Sequence, residues 1–213
     1  MNKLLSILFA SLLLNGAFAQ RQDQKIVSEC TVDYSVAVEN TKEDSAFIKS
    51  MSATTRTLYI KGTKSRSDLE TPNFKQSIIF DSKTDSSIIL RELGNTKYIS
   101  YLDGNGRKEK NRKYEGIKFG ATTDRKTILG YECNKVIATL SDGSTYEVYY
   151  TSSILPSAGD YEYQFKDLPG LVLEYEATFE RGNTKVRFTA QKITLVPVPV
   201  AKFDIPKSGY RVL

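Results

Sequence analysis

The chain has 213 residues, with 30 Lys and Arg, 25 Asp and Glu, and a formal net charge of +5. This small excess is not accompanied by a long basic stripe, so it does not predict a nucleic-acid partner. The chain contains no histidine, which excludes Ser-His-Asp and Cys-His nucleophiles and histidine-rich zinc sites.

The first nineteen residues, MNKLLSILFASLLLNGAFA, have the pattern of a secretory signal peptide. One Lys precedes a short apolar run, and the small residues Ala17 and Ala19 close it. The apolar run is shorter than the roughly 20 residues that span a bilayer, so we expect cleavage after Ala19 rather than a membrane anchor. Residues 20–213 are then predicted to form one antiparallel β domain with no transmembrane segment and a net charge of +4 without Lys3.

Strand patterns dominate the rest of the chain. We predict one short helix at residues 43–51 and strands at residues 27–38, 57–69, 76–81, 87–93, 97–102, 127–140, 145–151, 171–180 and 184–196. Turn residues separate several of them, and Asp142-Gly143 is typical of a hairpin. A change of apolar phase predicts a bulge near Gln191. Short strands with turns between them predict an all-β fold with minor helix, either an antiparallel sheet or a barrel.

Several carboxylates are candidates for catalytic groups. Glu174 and Glu176 share one strand face, but they alternate with apolar residues as on an ordinary solvent face. Asp160, Glu162 and Asp167 belong to no catalytic motif. The sequence therefore predicts a non-enzymatic protein with no catalytic residues and no cofactor, and an enzyme is the least favoured alternative.

Residues 103–114, DGNGRKEKNRKY, are a candidate calcium loop. Asp103 and Asn105 suit such a loop, but Arg107 occupies its fifth position, where an oxygen ligand is needed. No metal site is predicted. Five of the seven residues from Arg107 to Lys113 are basic. We interpret them as a solvated loop, or as a contact with an acidic headgroup, a sugar or an envelope protein.

The two cysteines leave two alternatives open. Export and an even count favour a disulfide between Cys30 and Cys133. Each cysteine also lies within an alternating segment, which is typical of two separate buried thiols.

Two motifs resemble those of a known family. LPGLVLEYE at residues 168–176, with GYEC at residues 130–133 upstream, resembles the GLPGLI family of exported Bacteroidetes proteins. FDIPKSGY at residues 203–210 and IKGTKSRSDL at residues 60–69 resemble the last and second strands of LolA-like, or lipoprotein-carrier-like, proteins. Asp167 and Val172 depart from the GLPGLI motif, which leaves a sister family with a LolA-like fold as the alternative.

The resemblance implies a half-open antiparallel β-barrel or strongly curved sheet, with short helices on its concave side. In the carriers this concave face shields lipid chains, so we expect a ligand-binding concave face in this chain. The residues assigned to it are Tyr146, Val148, Tyr150, Leu171, Leu173, Tyr175, Phe179 and Phe188. The resemblance also implies a periplasmic or outer-surface location in a Gram-negative bacterium. The predicted ligand is a lipid or a lipidated peptide, and the alternative is a structural or interaction protein of the envelope without a small ligand.

Overall fold

The computed structural model describes residues 24–39, 45–179 and 184–213. The predicted signal peptide, the turn at residues 181–183 and the first two residues of the predicted helix at residues 43–51 lie outside this part. The strands are β1 Lys25–Val27, β2 Glu29–Val38, β3 Thr55–Lys61, β4 Lys64–Thr71, β5 Phe74–Asp81, β6 Ser86–Leu93, β7 Thr96–Leu102, β8 Lys118–Ile128, β9 Tyr131–Thr139, β10 Thr145–Thr151, β11 Ile154–Pro156, β12 Leu171–Phe179, β13 Thr184–Thr194 and β14 Arg211–Val212. The helices are α1 Ser45–Ser52 and α2 Gly104–Lys110, with 3-10 turns at Arg112–Tyr114, Tyr163–Phe165 and Val200–Phe203.

Within the described residues, twelve strands form one sheet in the order β14-β7-β6-β5-β4-β3-β2-β13-β12-β10-β9-β8. All its pairs are antiparallel except β14 with β7, and β1 pairs with β11 in a separate parallel pair. A sheet of this width curls because adjacent strands twist relative to one another. Its edges, β14 and β8, are not joined, so the predicted half-open, strongly curved all-β fold is confirmed.

Three predicted element boundaries were wrong. Residues 57–69 and 127–140 were each predicted as one strand, but both are hairpins. Gly62 and the Leu129-Gly130 pair have positive φ angles of 58°, 52° and 82°, as tight hairpin turns require. Neither turn carries an Asn-Gly or Asp-Gly pair, so no hairpin signal is present in the sequence there. Most of the segment that resembles a last strand, residues 203–210, is irregular, and β14 begins only at Arg211.

The predictions for β10, β12 and β13 were closer. β10 has the predicted bounds, and the register between β13 and β2 shifts between Ala190 and Lys192, which confirms the bulge. β8 was largely missed because its sequence, KFGATTDRKTI, is polar and does not alternate; it is an edge strand that stays mostly exposed. Edge strands need no buried face, and they therefore lack the periodic signal.

The main core lies on the face of the sheet that carries Val32, Leu58 and Phe188, which we call the inner face. Residues 157–170, the crossing segment, pack against this face between β11 and β12. The ring centroid of Phe165 lies 5.1 Å from that of Tyr175, which stacks in turn on Phe188 at 4.7 Å. The crossing segment therefore covers the part of the inner face that carries Tyr175 and Phe188, and we call this part the closed half.

The Leu-Pro-Gly turn at the end of the crossing segment is held by two buried tyrosines. The Val172 N–H donates to the Tyr161 hydroxyl at 2.9 Å, and the Tyr34 hydroxyl donates to the Val172 carbonyl at 2.8 Å. A Cβ atom at Gly170 would lie 2.1 Å from the carbonyl oxygen of Thr151. The glycine therefore allows two stretches of backbone to touch, which no other residue permits.

The outer face of the sheet is covered at β5–β7 by the C-terminal segment. Val198 and Phe203 pack on Ile79, Leu90 and Ile99, and these five residues form a second, smaller core cluster. β5 and β6 therefore need apolar residues on both faces, which explains the unbroken runs Ile78-Ile79-Phe80 and Ile88-Ile89-Leu90.

Cys30 and Cys133 are free thiols, each with 0% exposure, on strands four positions apart in the sheet. The structure thus contains the separate buried thiols and not the disulfide. Burial raises the pKa of the Cys30 thiol to about 12 and that of Cys133 to about 11, so neither is a reactive thiolate near neutral pH.

We predict that Gly170→Ala destabilises the protein by about 1–3 kcal/mol or more, because the new methyl group meets backbone that has no free space to move. Gly159→Ala is the matched control, since Gly159 is exposed and a Cβ there meets nothing within 4 Å. Urea unfolding of both variants measures the effect. Equal midpoints for the two variants would contradict the close backbone contact.

We also predict that a maleimide reagent labels neither thiol of the folded protein quickly at neutral pH. Unfolding without a reductant should expose two reactive thiols, as counted by mass spectrometry. Labelling that appears only after reduction would show a disulfide and would contradict the structure.

Candidate functional site

The inner face is open at β4–β7, where the crossing segment does not cover it. A cavity of about 240 Å³ lies there between the strands and α2 with its following turn. Its lining residues are Ser65, Ser67, Gln76, Ile78, Phe80, Ser87, Ile89, Arg91, Leu102, Arg107, Lys110, Asn111, Lys113, Tyr114, Tyr161, Glu162, Tyr163 and Gln164. The open half at β4–β7 and the closed half under the crossing segment are thus two parts of the same inner face.

The floor of the cavity is formed by side chains that face inward from paired strands. Ile78 of β5 lies opposite Ile89 of β6, and Phe80 lies opposite Ser87. Leu102 of β7 is paired with Ser87 in the next ladder. Inward side chains recur every second residue, so the floor is apolar from Phe80 to Ile78 on β5 and becomes polar at Gln76 and its partner Arg91. Ser67 pairs with Ile78 and adds a small side chain that leaves the cavity space.

The roof is α2 and the turn after it. Residues 108–110, 112 and 113 are exposed, as the interpretation of a solvated segment requires, but the segment is helical and Arg107 is buried, which corrects that interpretation at Arg107. The Asp103 side chain caps α2 by accepting from the Gly106 N–H at 2.8 Å. Arg107 is buried, with its guanidinium carbon 3.6 Å from the ring centre of Phe80. Its Nη1 atom lies 3.0 Å from Asp85 and 3.3 Å from Asp160. The guanidinium thus ties the roof to both the sheet and the crossing segment.

The back wall is the crossing segment at Tyr161–Gln164. The Ser65 hydroxyl donates to the Tyr161 carbonyl at 2.8 Å. Glu162 forms an ion pair with Arg56, whose guanidinium carbon lies 4.5 Å from the ring centre of Tyr34. Because Arg56 belongs to the closed core and Glu162 lines the cavity, this pair marks the boundary between the two halves.

The charged side chains of the cavity lining are mostly cationic. Among its residues, Glu162 is the one carboxylate, and it is already paired with Arg56. Arg107 is paired with Asp85 and Asp160. Arg91, Lys110 and Lys113 have no carboxylate within ion-pair distance in the ranges described, and they leave the cavity with an uncompensated positive charge.

The site residues expected from the sequence lie on the other, closed half of the inner face. Val148, Leu171 and Leu173 are fully buried, and Tyr175 and Phe188 are 5% exposed. Tyr146 and Tyr150 pack partly buried against the same cluster. The side chain of Phe179 lies outside the described part. None of the described seven lines the cavity, because the crossing segment covers them.

The cavity residues were not predicted from the sequence, although one pattern in it indicates them. The runs Ile78-Ile79-Phe80 and Ile88-Ile89-Leu90 are apolar at consecutive positions, which indicates a strand that is apolar on both faces. One face is covered by the C-terminal segment. The inward residues of the same runs line the cavity.

Glu174 and Glu176 were expected on a solvent face, but they are only 5% and 7% exposed. Both accept hydrogen bonds from Arg187, at 2.7 Å and 2.9 Å. Burial would raise the pKa of the Glu174 carboxyl, but hydrogen bonds from Lys126 and Arg187 lower it below its usual value. For Glu176, burial raises the pKa, against a hydrogen bond from the Glu147 N–H. The two carboxylates belong to an ion-pair network on the outer face, away from the cavity lining.

The described ranges hold no cluster of three His, Cys, Asp or Glu residues suited to a metal ion. In the same ranges, no helix has the length and apolar character needed to cross a bilayer.

The fold and the cavity define an all-β protein with a partly open, cationic cavity on the inner face of one curved sheet. The chain belongs to the family described as a domain of unknown function, DUF4412, which matches residues 46–166, more than half of the chain. This match includes the floor, the roof and the back wall of the cavity, and it ends before the Leu-Pro-Gly turn. No curated protein matches the chain.

Several solved structures align with the chain at low sequence identity and with TM-scores below 0.5. An uncharacterised conserved protein from Thermus thermophilus aligns with 9% identity and a TM-score of 0.45, over 87% of this chain and 90% of that one. MucB aligns with 9% identity and a TM-score of 0.43, over 84% of this chain and 58% of MucB. A DUF1329 family protein from Desulfovibrio piger aligns with 8% identity and a TM-score of 0.39, over 84% and 90%.

We predict that Arg107→Met lowers the free energy of unfolding by about 2 kcal/mol, because it removes charge-assisted hydrogen bonds and leaves Asp85 and Asp160 without their shared cation. Arg112→Met is the control. Its side chain is 79% exposed, so we expect a change within about 0.5 kcal/mol. Chemical unfolding of both variants checks the prediction, and equal small losses would restore the solvated-loop interpretation.

Proposed function

We propose that this protein is an exported, non-enzymatic binding protein whose cavity holds the apolar chain of a lipid or of a lipid-modified peptide. The observation that carries the proposal is the partly open cavity with an apolar floor on the inner face. Burial of apolar chain against Ile78, Phe80, Ile89 and Leu102 supplies the driving force, at about 0.8 kcal/mol for each methylene group.

The size of the cavity limits the ligand. Pockets that enclose drug-sized ligands have volumes of roughly 300–1,000 Å³. The cavity of about 240 Å³ is smaller, so it holds one short chain, or one end of a longer chain that emerges at the open side. A two-chain lipid enclosed as a whole does not fit this volume.

The cellular context is part of the proposal. The signal-peptide pattern of residues 1–19 supports export, and LPGLVLEYE, which resembles the GLPGLI motif, supports a periplasmic or outer-surface location in a Gram-negative bacterium. The Leu-Pro-Gly part of that motif has a structural role here, because it ends the crossing segment and allows the close contact at Gly170.

Contact with an envelope protein is the second candidate function, and the roof is the surface that favours it. Lys108 and Arg112 have side chains that are 67% and 79% exposed, and neither lines the cavity. These residues remain accessible whether or not the cavity is occupied.

We predict that the purified protein binds decanol in calorimetric titration and that Ser67→Phe weakens this binding about ten-fold or more, because the ring fills the space above Ile78. Ser35→Phe is the matched control. Ser35 is also a strand serine, but it lies exposed on the outer face, and this variant should bind as the unchanged protein does. Native mass spectrometry of gently purified protein should also show a bound lipid. Absence of both decanol binding and a co-purified lipid would overturn the proposal.

A further inference from the structure

The guanidinium group of Arg91 lines the cavity without an ion pair to any of the described residues. Arg91 is half-buried at the inner face of β6, and its Nε atom donates to the Gln76 side-chain oxygen at 2.9 Å. Its two Nη groups have no hydrogen-bond partner in the described part of the chain. A partly desolvated cation normally has a carboxylate partner, since burial without one is costly.

The other arginines of this region show what structural pairing looks like. Arg56 is paired with Glu162, and Arg107 with Asp85 and Asp160. Among the described residues, the side chain of Arg91 is paired with a neutral amide and with no carboxylate. The Gln76 amide holds the guanidinium by Nε and leaves the two Nη groups free, which is the fork that binds a carboxylate or phosphate in a bidentate manner.

Two other residues of the cavity lining carry the same charge as Arg91. Lys110 and Lys113 line the cavity from the roof, are exposed, and have no ion-pair partner within the described residues. A site that concentrates one sign of charge beside low-dielectric walls attracts ligands of the opposite sign.

The polar and apolar parts of the cavity are arranged along one axis. On β6, Arg91, Ile89 and Ser87 face inward in succession, and their partners on β5 are Gln76, Ile78 and Phe80. Four residues of strand span about 13 Å. The cationic end at Arg91 is therefore followed by the apolar middle, and the far end is closed by Arg107 over Phe80.

We infer that the ligand is an anionic single-chain amphiphile, whose carboxylate or phosphate head binds the two Nη groups of Arg91 while its chain lies over Ile78 and Ile89. The inference rests on the proposed function and adds the chemical class of the ligand. Lys110 and Lys113 add long-range attraction, and Gln76 positions the guanidinium.

The test compares ligands that share one chain. Titration calorimetry at constant ionic strength would measure decanoate, decyl phosphate, decanol and inorganic phosphate. We expect an anionic amphiphile to bind about ten-fold to a hundred-fold more tightly than decanol, as hydrogen bonds to a charged group provide. Arg91→Gln should abolish this preference. Arg112→Gln removes the same charge from the exposed roof outside the cavity and should keep the preference.

Each outcome of the titrations supports or overturns the inference. Equal affinity for decanoate, decyl phosphate and decanol, or a preference that survives Arg91→Gln, overturns the inference and leaves the proposed function standing. Binding of inorganic phosphate alone, lost in Arg91→Gln, supports an oxyanion site at Arg91 but overturns the amphiphile as its ligand. Binding of none of the four probes overturns the inference, and together with the absence of a co-purified lipid it also overturns the proposed function. If Arg91→Gln does not fold by circular dichroism, the double variant Lys110→Gln with Lys113→Gln provides the second test, since both positions are exposed and their loss should reduce the preference several-fold.

Discussion

The ion pair between Arg56 and Glu162 is the constraint on which the division of the inner face depends. Arg56 is 4% exposed and lies among the rings of Tyr34, Tyr175 and Phe188. A guanidinium in such surroundings is stable only with a carboxylate, and breaking a buried pair of this kind costs about 3–5 kcal/mol. The crossing segment must therefore keep Glu162 at this position. Where Glu162 lies, the closed core ends and the cavity begins.

A second arginine also holds the crossing segment in place. Arg107 reaches Asp160 from α2, two residues before Glu162 in the chain. The roof, the back wall and the sheet are thus joined through carboxylates of the crossing segment and of the loop at Asp85. The cavity keeps its shape without being filled by side chains, because charge-assisted contacts at its rim hold the elements apart and in place.

Local structure could be predicted from the sequence where one face of a strand is buried, as the alternation in β2 and β10 shows. Glu174 and Glu176 were misjudged, because alternation places a residue on a face but does not tell whether Arg187 covers that face. The candidate site was harder to predict for a related reason. The apolar side chains of β12 look like a ligand surface in sequence, but Phe165 and Tyr161, which cover them, come from a segment without a periodic pattern. Whether an apolar face is filled or open is decided by the segment that crosses it.

The arginines in and beside the cavity differ in the groups that pair with them. Arg56 and Arg107 have carboxylates at fixed positions, so the protein itself already satisfies their charge. Arg91 lines the same cavity with a neutral partner and two free Nη groups in the described part of the chain. A carboxylate opposite Arg91 would stabilise the folded protein, as the carboxylates paired with Arg56 and Arg107 do. At that position of the register, β5 instead provides Gln76. A neutral amide orients the guanidinium without neutralising it, which preserves its attraction for an anion from solution. The Gln at this position is therefore the arrangement expected for the anion site that we propose at Arg91.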